Sequence, residues 1–297
     1  MNPNCRGLGV ALATPFASDD TLDLGGLTEL TRHVVEGGAD FLVALGSTGE
    51  AAMLSEAERD RVVETVKDAA GAVPVFVGTG APSTAQAVAW TRRARDLGAD
   101  GALVVVPPYT KPSQDGLVAH FAAVAAAVPQ LPIMGYNVPS RATTNLQPAT
   151  LARIWQLDNV VAFKDSSGNL EQICAIAAAL PPDKLLLSGD DAFALPTIAV
   201  GGQGLVSVAG NVVPGKMRDL VQAALTGDLA RARTLHNDLW PLFGALSADT
   251  NPVPVKTAIE LLGIARGAVR LPLLGARPEL RSRLASALAS QREVHHG

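Results

Sequence analysis

Eight short apolar runs recur at regular intervals along the chain, and each ends in glycine, proline or small polar residues. Most are rich in valine, leucine and isoleucine without strict alternation, which is typical of parallel strands buried on both faces. The runs are Gly9–Thr14, Asp40–Gly46, Val73–Gly80, Gly101–Pro108, Leu131–Asn137, Val160–Ser166, Leu185–Asp191 and Gly204–Asn211. They predict eight strands in the core of one sheet.

Helical patterns separate these runs. Ser55 and Glu58 form a capping-box signature that opens a helix running through Ala70. Similar patterns begin at Ser83 or Thr84 and at Ser113. Regular alternation of strands and helices predicts an α/β fold, the (β/α)₈ TIM barrel. A doubly wound sheet is the competing arrangement, but eight units of similar length favour a closed barrel.

After the eighth run the pattern is helical only, over Gly215–Thr226, Asp228–Leu246, Val253–Leu262 and Pro278–Arg292. The first of these helices completes the barrel, and the others form a helical appendage. We therefore predict a catalytic barrel over residues 1–226 and a C-terminal helical domain over residues 227–297.

Composition narrows the class of protein. The 297 residues are 48% hydrophobic and 18% charged, which is ample material for a core. A net charge of −4 without a basic run argues against nucleic acid as a partner. No apolar stretch reaches the length of a membrane span, and the first residues lack the apolar core of a signal peptide. We expect a cytoplasmic protein with no membrane partner.

The cysteines and histidines indicate neither disulfides nor metal. Two cysteines cannot build a disulfide framework, and Cys174 lies in an apolar helical pattern that predicts a core position. His33, His120 and His236 are scattered and match no ligand motif. The sequence therefore predicts no metal site, and we expect no cofactor.

The stretch Val160–Gly168 reads as an apolar strand that ends in Lys164 and a polar turn. Removing an ammonium group from water is costly, which lowers the pKa of the amine and makes it a nucleophile. The alternative is a strand-end lysine whose amine reaches back to solvent. In barrels the chemistry lies at the carboxyl ends of the strands, which is where Lys164 falls.

Other strand ends carry groups suited to a small anionic substrate. Gly46–Gly49 supplies free N–H groups together with the hydroxyls of Ser47 and Thr48. These groups could form a nest that binds a carboxylate. Alternatively, the stretch is a tight turn in which the two side chains act as caps. Tyr109 and Tyr136 are the only tyrosines. Their phenols could shuttle protons, although an aromatic with its hydroxyl at the rim of the core is common.

Arg141 follows the fifth strand in a proline-stiffened loop. Its guanidinium could bind a substrate carboxylate through two hydrogen bonds, or it could be an ordinary solvated side chain. Asp190 and Asp191 are interpreted as N-caps of the next helix. An amine, two phenols and an anion nest together point to Schiff-base chemistry on a small keto acid. A pyridoxal-phosphate enzyme would also use a lysine, but the chain shows no dedicated phosphate-binding loop.

Several stretches, taken in order, resemble the dihydrodipicolinate synthase family, which belongs with N-acetylneuraminate lyase among the pyruvate-dependent class I aldolases. They are Gly46–Glu50, Pro107–Tyr109, Lys111–Leu117, Tyr136–Arg141, Phe163–Asn169, Leu187–Asp191 and Asn251–Lys256. The resemblance covers nearly the whole chain. Tyr136–Arg141 and Pro112–Leu117 favour the synthase branch.

The resemblance implies catalytic roles for Lys164, Tyr136, Ser47 and Tyr109, and substrate-binding roles for Thr48, Arg141, Gly189 and Val206. Lysine would form a Schiff base with pyruvate, and the tyrosines, joined by the serine hydroxyl, would relay protons. Tyr109 would come from a neighbouring subunit. Thr48 would hold the pyruvate carboxylate, Arg141 would hold that of L-aspartate 4-semialdehyde, and Gly189 and Val206 would line the pocket with backbone.

The implied activity is synthesis of 4-hydroxy-tetrahydrodipicolinate in diaminopimelate and lysine biosynthesis, by a homotetramer built as a dimer of dimers. The alternative is a pyruvate-dependent aldolase or dehydratase acting on a sugar acid. Ser47, where synthases usually carry threonine, and Asp165, where they commonly carry glutamate, favour that alternative. Arg141 argues against it. A third hypothesis is a catalytically silent barrel.

Positions that match the lysine feedback site of bacterial family members read Ala51, Glu56, Arg59, Pro82 and Gln86. They lack the histidine and asparagine ligands of the feedback-sensitive form. We therefore expect weak or absent inhibition by L-lysine.

Overall fold

In a computed structural model that describes residues 5–293, eight parallel strands close into a barrel in chain order, with β8 paired back to β1. The strands are β1 Gly7–Ala11, β2 Phe41–Ala44, β3 Val75–Gly78, β4 Gly101–Val105, β5 Ile133–Asn137, β6 Val160–Asp165, β7 Leu185–Ser188 and β8 Gly204–Ser207. The predicted TIM barrel is confirmed, and the doubly wound alternative was wrong. Most predicted runs extend past their strands into the loops at the barrel rim.

Twelve helices surround or follow the strands within the described residues. They are α1 Leu24–Glu36, α2 Glu56–Ala70, α3 Thr84–Asp96, α4 Gln114–Ala127, α5 Pro139–Ala142, α6 Pro148–Ile154, α7 Leu170–Ala178, α8 Ala194–Ala199, α9 Pro214–Leu225, α10 Leu229–Leu246, α11 Val253–Leu261 and α12 Pro278–Glu293. The capping box of α2 forms as predicted: the Ser55 hydroxyl accepts the Glu58 N–H at 3.3 Å, and the Glu58 carboxylate accepts the Ser55 N–H at 2.9 Å.

Side chains fill the interior of the barrel, as they do in other barrels of eight strands. The rings of Phe41 and Phe76 meet edge to face with centroids 5.8 Å apart. They fit only because the neighbouring strands carry glycine: a Cβ on Gly9 would overlap the Phe41 ring, and one on Gly101 would overlap the Phe76 ring. This packed interior leaves the rim as the place for a substrate.

The helices after the barrel share a core with it. Leu242 of α10, Ile259 of α11 and Leu284 of α12 belong to the same buried apolar cluster as Leu8 of β1 and Leu30 of α1. Residues 1–4 and 294–297 of the predicted domains lie outside the described residues. The boundary between residues 226 and 227 stays a prediction.

One core assignment was wrong, because Cys174 is exposed. Ile173 and Ile176, three positions apart, define the buried face of α7, and Cys174 is turned away from it. Cys5 is the buried cysteine, and burial raises the pKa of its thiol to about 12. No helix among residues 5–293 combines the length and the apolarity needed to cross a bilayer.

Arg270 fastens the segment between α11 and α12 to the helix that follows β2. Its guanidinium contacts both carboxylate oxygens of Glu58, at 2.5 and 3.0 Å, and also donates to the carbonyl of Met53 at 2.9 Å. The hydrogen bond from Arg270 lowers the pKa of Glu58 to about 2. The pair therefore favours the folded state only where Glu58 is ionised.

We expect Glu58→Gln to remove about 1 kcal/mol of stability at neutral pH, a value reduced for solvent screening, while the amide keeps the capping acceptor. A carboxylate whose folded pKa is depressed contributes stability that is complete above its unfolded pKa and is lost as the pH falls through its folded pKa. The difference between wild type and variant should therefore shrink from pH 4.5 toward pH 2. Urea unfolding across this range measures it, and a difference that stays constant would contradict the assignment.

Candidate active site

Lys164 lies near the end of β6 with its side chain directed into the barrel mouth. It is only 4% exposed, so its amine does not reach bulk solvent as the alternative interpretation supposed. In the pairing of β5 with β6, Tyr136 stands opposite Lys164. The lysine Nζ lies 4.1 Å from the centroid of the tyrosine ring. The barrel therefore brings the predicted nucleophile and the predicted proton relay into contact.

The loop after β2 holds the two predicted hydroxyls. It is tightly folded, since Leu45 and Glu50 both have positive φ, at 57° and 50°. Inside it the N–H of Gly49 donates to the carbonyl of Gly46 at 3.1 Å. The Thr48 hydroxyl accepts a hydrogen bond from the side-chain amide of Asn251 at 2.9 Å.

A cavity of about 710 Å³ joins these groups at the carboxyl ends of the strands. Of the predicted site residues, it is lined by Ser47, Thr48, Tyr136, Arg141, Lys164 and Gly189. Phe243 and Leu246 of α10, which lie outside the barrel strands and their loops, supply an apolar part of the cavity wall. The C-terminal helices thus help to build the site.

Two predicted site residues lie elsewhere. Val206 is buried in the packed interior of the barrel, and Val208, two residues further on, lines the cavity instead. Tyr109 follows β4 with a φ of 71° and is 89% exposed. It lines neither this cavity nor a neighbouring cavity of about 370 Å³ that shares Ser47, Tyr136 and Arg141 with it.

Asp190 and Asp191 are closer to the chemistry than their interpretation as helix caps allowed. Asp190 occupies the N-cap position of a short 3₁₀ turn without a capping hydrogen bond from its side chain, and it lines the cavity. Asp191 accepts from the Ser207 hydroxyl at 2.5 Å and from the N–H of Ala209 at 2.9 Å. Burial raises the pKa of both carboxyls, and the charge of Lys164 opposes that rise. Asp190 thus has the N-cap position but does not cap the turn with its carboxylate, and the carboxylate of Asp191 binds groups at and just after the end of β8 instead.

The neighbour of the lysine, Asp165, points away from the cavity into a buried hydrogen-bond network. Its carboxylate accepts from the side-chain amides of Asn137 at 3.1 Å and Gln172 at 3.2 Å, and from the N–H of Ser167 at 2.9 Å. The network ties the ends of β5 and β6 together and so fixes the strand that carries Lys164.

Arg141, in α5, is exposed at the cavity mouth, where its guanidinium donates to the carbonyl of Asn251 at 2.9 Å. Sequence reasoning assigned no role to Asn251, which contacts both Thr48 and Arg141. In the sequence, only its place in the Asn251–Lys256 stretch, one of those that carry the family resemblance, pointed to it. Within the described part of the chain, no group of three or more histidine, cysteine, aspartate or glutamate side chains is arranged to hold a metal.

Position Arg59, matched above to the lysine feedback site, holds a buried guanidinium. It donates to the carbonyls of Ala51 at 3.0 Å and Gly78 at 2.8 Å and stacks 4.0 Å above the ring of Trp90. Weak or absent inhibition by L-lysine stays a prediction.

Fold and site together define a barrel enzyme with a buried amine at the end of its sixth strand. The chain belongs to the dihydrodipicolinate synthetase family, whose model matches residues 4–291. The family predicted from the sequence is confirmed.

The relatives extend over nearly the whole chain. The 4-hydroxy-tetrahydrodipicolinate synthase of Thermomicrobium roseum is 52% identical over 286 residues, covering 96% of this chain and 94% of the relative. The crystal structure of dihydrodipicolinate synthase from Aquifex aeolicus is 42% identical with a TM-score of 0.93, covering 97% and 98% of the two chains. A chloride-inhibited dihydrodipicolinate synthase from Acinetobacter baumannii, complexed with pyruvate, is 37% identical with a TM-score of 0.94, covering 97% and 99%.

Gly189 leaves the space that the lysine side chain needs. A Cβ there would overlap the Ser166 hydroxyl and lie 2.7 Å from Cε of Lys164. We expect Gly189→Ala to displace the amine and to slow labelling of Lys164 by a 2-keto acid with borohydride about a hundredfold. Mass spectrometry of the Lys164 peptide measures the label.

Gly215→Ala is the matched control, because a Cβ at that position meets nothing within 4 Å. It should label at the wild-type rate. Unchanged labelling of Gly189→Ala would show that the amine is not confined as the structure indicates.

Proposed function

We propose that this enzyme condenses pyruvate, held as a Schiff base on Lys164, with L-aspartate 4-semialdehyde to give 4-hydroxy-tetrahydrodipicolinate. This is the first committed step toward diaminopimelate and lysine. The observation that carries the proposal is the buried Lys164 amine in contact with the ring of Tyr136, inside a cavity with an arginine at its mouth. A relative named 4-hydroxy-tetrahydrodipicolinate synthase, matched over 96% of this chain, supports it.

The chemistry begins with attack of the neutral amine on the keto carbon of pyruvate, followed by loss of water to give an iminium ion. The iminium withdraws electrons, so the methyl group loses a proton and an enamine forms. The enamine carbon adds to the aldehyde and makes the new carbon–carbon bond. The amino group of the second substrate then attacks the imine carbon, which closes the ring and releases Lys164.

The surrounding side chains take the roles that these steps require. Tyr136 moves protons during imine formation and ring closure, because its phenol lies beside the lysine. Ser47 links it to Tyr109, and Thr48 with the nearby backbone holds the pyruvate carboxylate. Arg141 binds the carboxylate of the second substrate. Gly189 contributes backbone to the pocket, and Val208 lines it in the place predicted for Val206.

Lys164→Met should lower turnover by at least about 10³-fold, because the covalent intermediate cannot form. Wild type treated with pyruvate and borohydride should carry a reduced adduct on the Lys164 peptide. Lys67→Met is the control, since the Lys67 amine pairs with Asp100 at 2.6 Å, before β4 begins, at the opposite end of the barrel. It should keep full turnover and labelling.

Turnover is measured with pyruvate and L-aspartate 4-semialdehyde, and cleavage of N-acetylneuraminate and 2-keto-3-deoxy acids is measured beside it. Faster cleavage of a sugar acid than turnover of the semialdehyde would replace the synthase with the sugar-acid aldolase. Absence of a pyruvate adduct in folded wild type would favour the silent barrel.

The proposal includes a homotetramer, a dimer of dimers, in which Tyr109 enters the site of a second copy. Its phenol is almost fully exposed on one chain, although its neighbour Pro108 lines the cavity that shares Ser47 and Tyr136. An exposed tyrosine held at a positive φ costs backbone strain, and a partner site would use it. The smallest complete site would then need two chains.

Hybrid dimers test this arrangement. Tyr109→Phe and Lys164→Met are each expected to impair turnover. A purified hybrid of the two variants contains one site with an intact lysine and, if the tyrosine acts across the interface, an intact tyrosine. That hybrid should recover about half of the wild-type turnover per dimer. No recovery would place Tyr109 in the site of its own chain, and wild-type turnover of Tyr109→Phe alone would place it outside the chemistry.

A further inference from the structure

A pair of opposite charges is buried behind the loop that carries Ser47 and Thr48. The Lys256 amine in α11 lies 2.6 Å from a carboxylate oxygen of Glu50, and their side chains are 0% and 1% exposed. Replacing a buried ion pair by apolar residues often leaves stability unchanged or raises it. A contribution to stability alone therefore does not explain why this pair is present. The contacts of its two side chains indicate its role better.

The Glu50 carboxylate is held on both of its oxygens by the C-terminal part of the chain. Lys256 donates to Oε1, and the backbone N–H of Arg270 donates to Oε2 at 3.0 Å. The Lys256 amine and the Arg270 guanidinium both lie over the ring of Phe16, at 4.0 and 4.3 Å from its centroid. These contacts leave the carboxylate a single position.

The backbone of Glu50 closes the loop that carries the hydroxyls. Its φ of 50° is unfavourable for a residue with a side chain and persists only where the surroundings enforce it. Its N–H donates to the carbonyl of Ser47 at 3.2 Å. Asn251, just before α11, holds the Thr48 hydroxyl at 2.9 Å. The loop is thus anchored to the C-terminal segment at two points.

We propose that Lys256 and Glu50 are positioning residues, whose ion pair holds Ser47 and Thr48 in the geometry that binds the pyruvate carboxylate. Neither residue lines the cavity around Lys164. Glu50 borders the neighbouring cavity of about 370 Å³, but its side chain is only 1% exposed and its carboxylate is bound by Lys256 and Arg270. Both residues therefore act through the loop. This inference rests on the proposed function. It makes the C-terminal helices part of the pyruvate site, although they carry no group that reacts.

The test uses full-length Lys256→Met and measures the pyruvate concentration that gives half-maximal borohydride trapping on Lys164. The reading is taken well below the melting temperature of each variant. We expect that concentration to rise about tenfold, because the loop loses its tether. A value within twofold of wild type in folded protein would overturn the proposal.

Lys184→Met is the matched control, because it also removes a buried lysine amine. That amine lies 3.4 and 3.3 Å from the carbonyls of Leu157 and Asp158, before β6 begins. We expect a lower melting temperature but an unchanged half-saturating pyruvate concentration. An equal rise in the two variants would show a general effect of lost stability and would contradict the proposal.

Glu50→Gln keeps the shape of the side chain and serves if Lys256→Met does not fold. It should raise the half-saturating concentration about threefold or more.

In the double variant Glu50→Gln with Lys256→Met no charge is left unpaired, yet the tether is still missing. The concentration should stay high; a return to the wild-type value would assign the effect to an unpaired charge and overturn the proposal.

The result for wild type distinguishes failure of the proposed function from failure of the positioning role. Wild type that forms no pyruvate adduct contradicts the proposed function itself. Wild type that traps pyruvate, with folded variants of Lys256 and Glu50 that trap it equally well, contradicts only the positioning role.

Discussion

The register between β5 and β6 is the constraint on which the site depends. The pairing begins with Ile133 opposite Val160, but an irregularity at Ile133 and Met134 shifts it by one residue, so that Met134 faces Ala162. Without that shift Tyr136 would stand opposite Phe163. With it, Tyr136 stands opposite Lys164, and both side chains point into the barrel mouth. A bulge beside an active site commonly redirects a side chain in this way.

The next requirement is a wall that the barrel alone does not supply. Phe243, Leu246 and Asn251 come from α10 and the segment after it, yet they line the same cavity as Lys164. A division of the chain at residue 226 therefore separates the barrel elements from the later helices in the sequence, but it does not separate the residues of the site. The packing of α10, α11 and α12 into the core of β1 and α1 is what holds this wall in place.

Charge in the cavity is arranged in two groups. Arg141 lies at the mouth, exposed, where it can meet an incoming carboxylate. Lys164 lies deep, near Asp190 and Asp191, and burial raises the pKa of both carboxyls while the lysine charge opposes the rise. A third carboxylate, the exposed Asp249, lines the cavity from the segment after α10, so acidic groups are not confined to the side formed by β7 and β8.

Much of this arrangement was predictable because it is local. Apolar runs define strands, Ser55 and Glu58 define the start of α2, and a lysine on a core strand marks a candidate nucleophile without any tertiary information. Cys174 was misplaced because an almost wholly apolar helix gives little indication of which face is buried. Glu50 and Lys256, 206 positions apart, could not be paired from sequence, because their contact exists only after the barrel closes and α11 packs onto it. The sequence alone determined the barrel, the family and the amine; the tertiary structure decided which polar groups surround that amine, because register and closure set those distances.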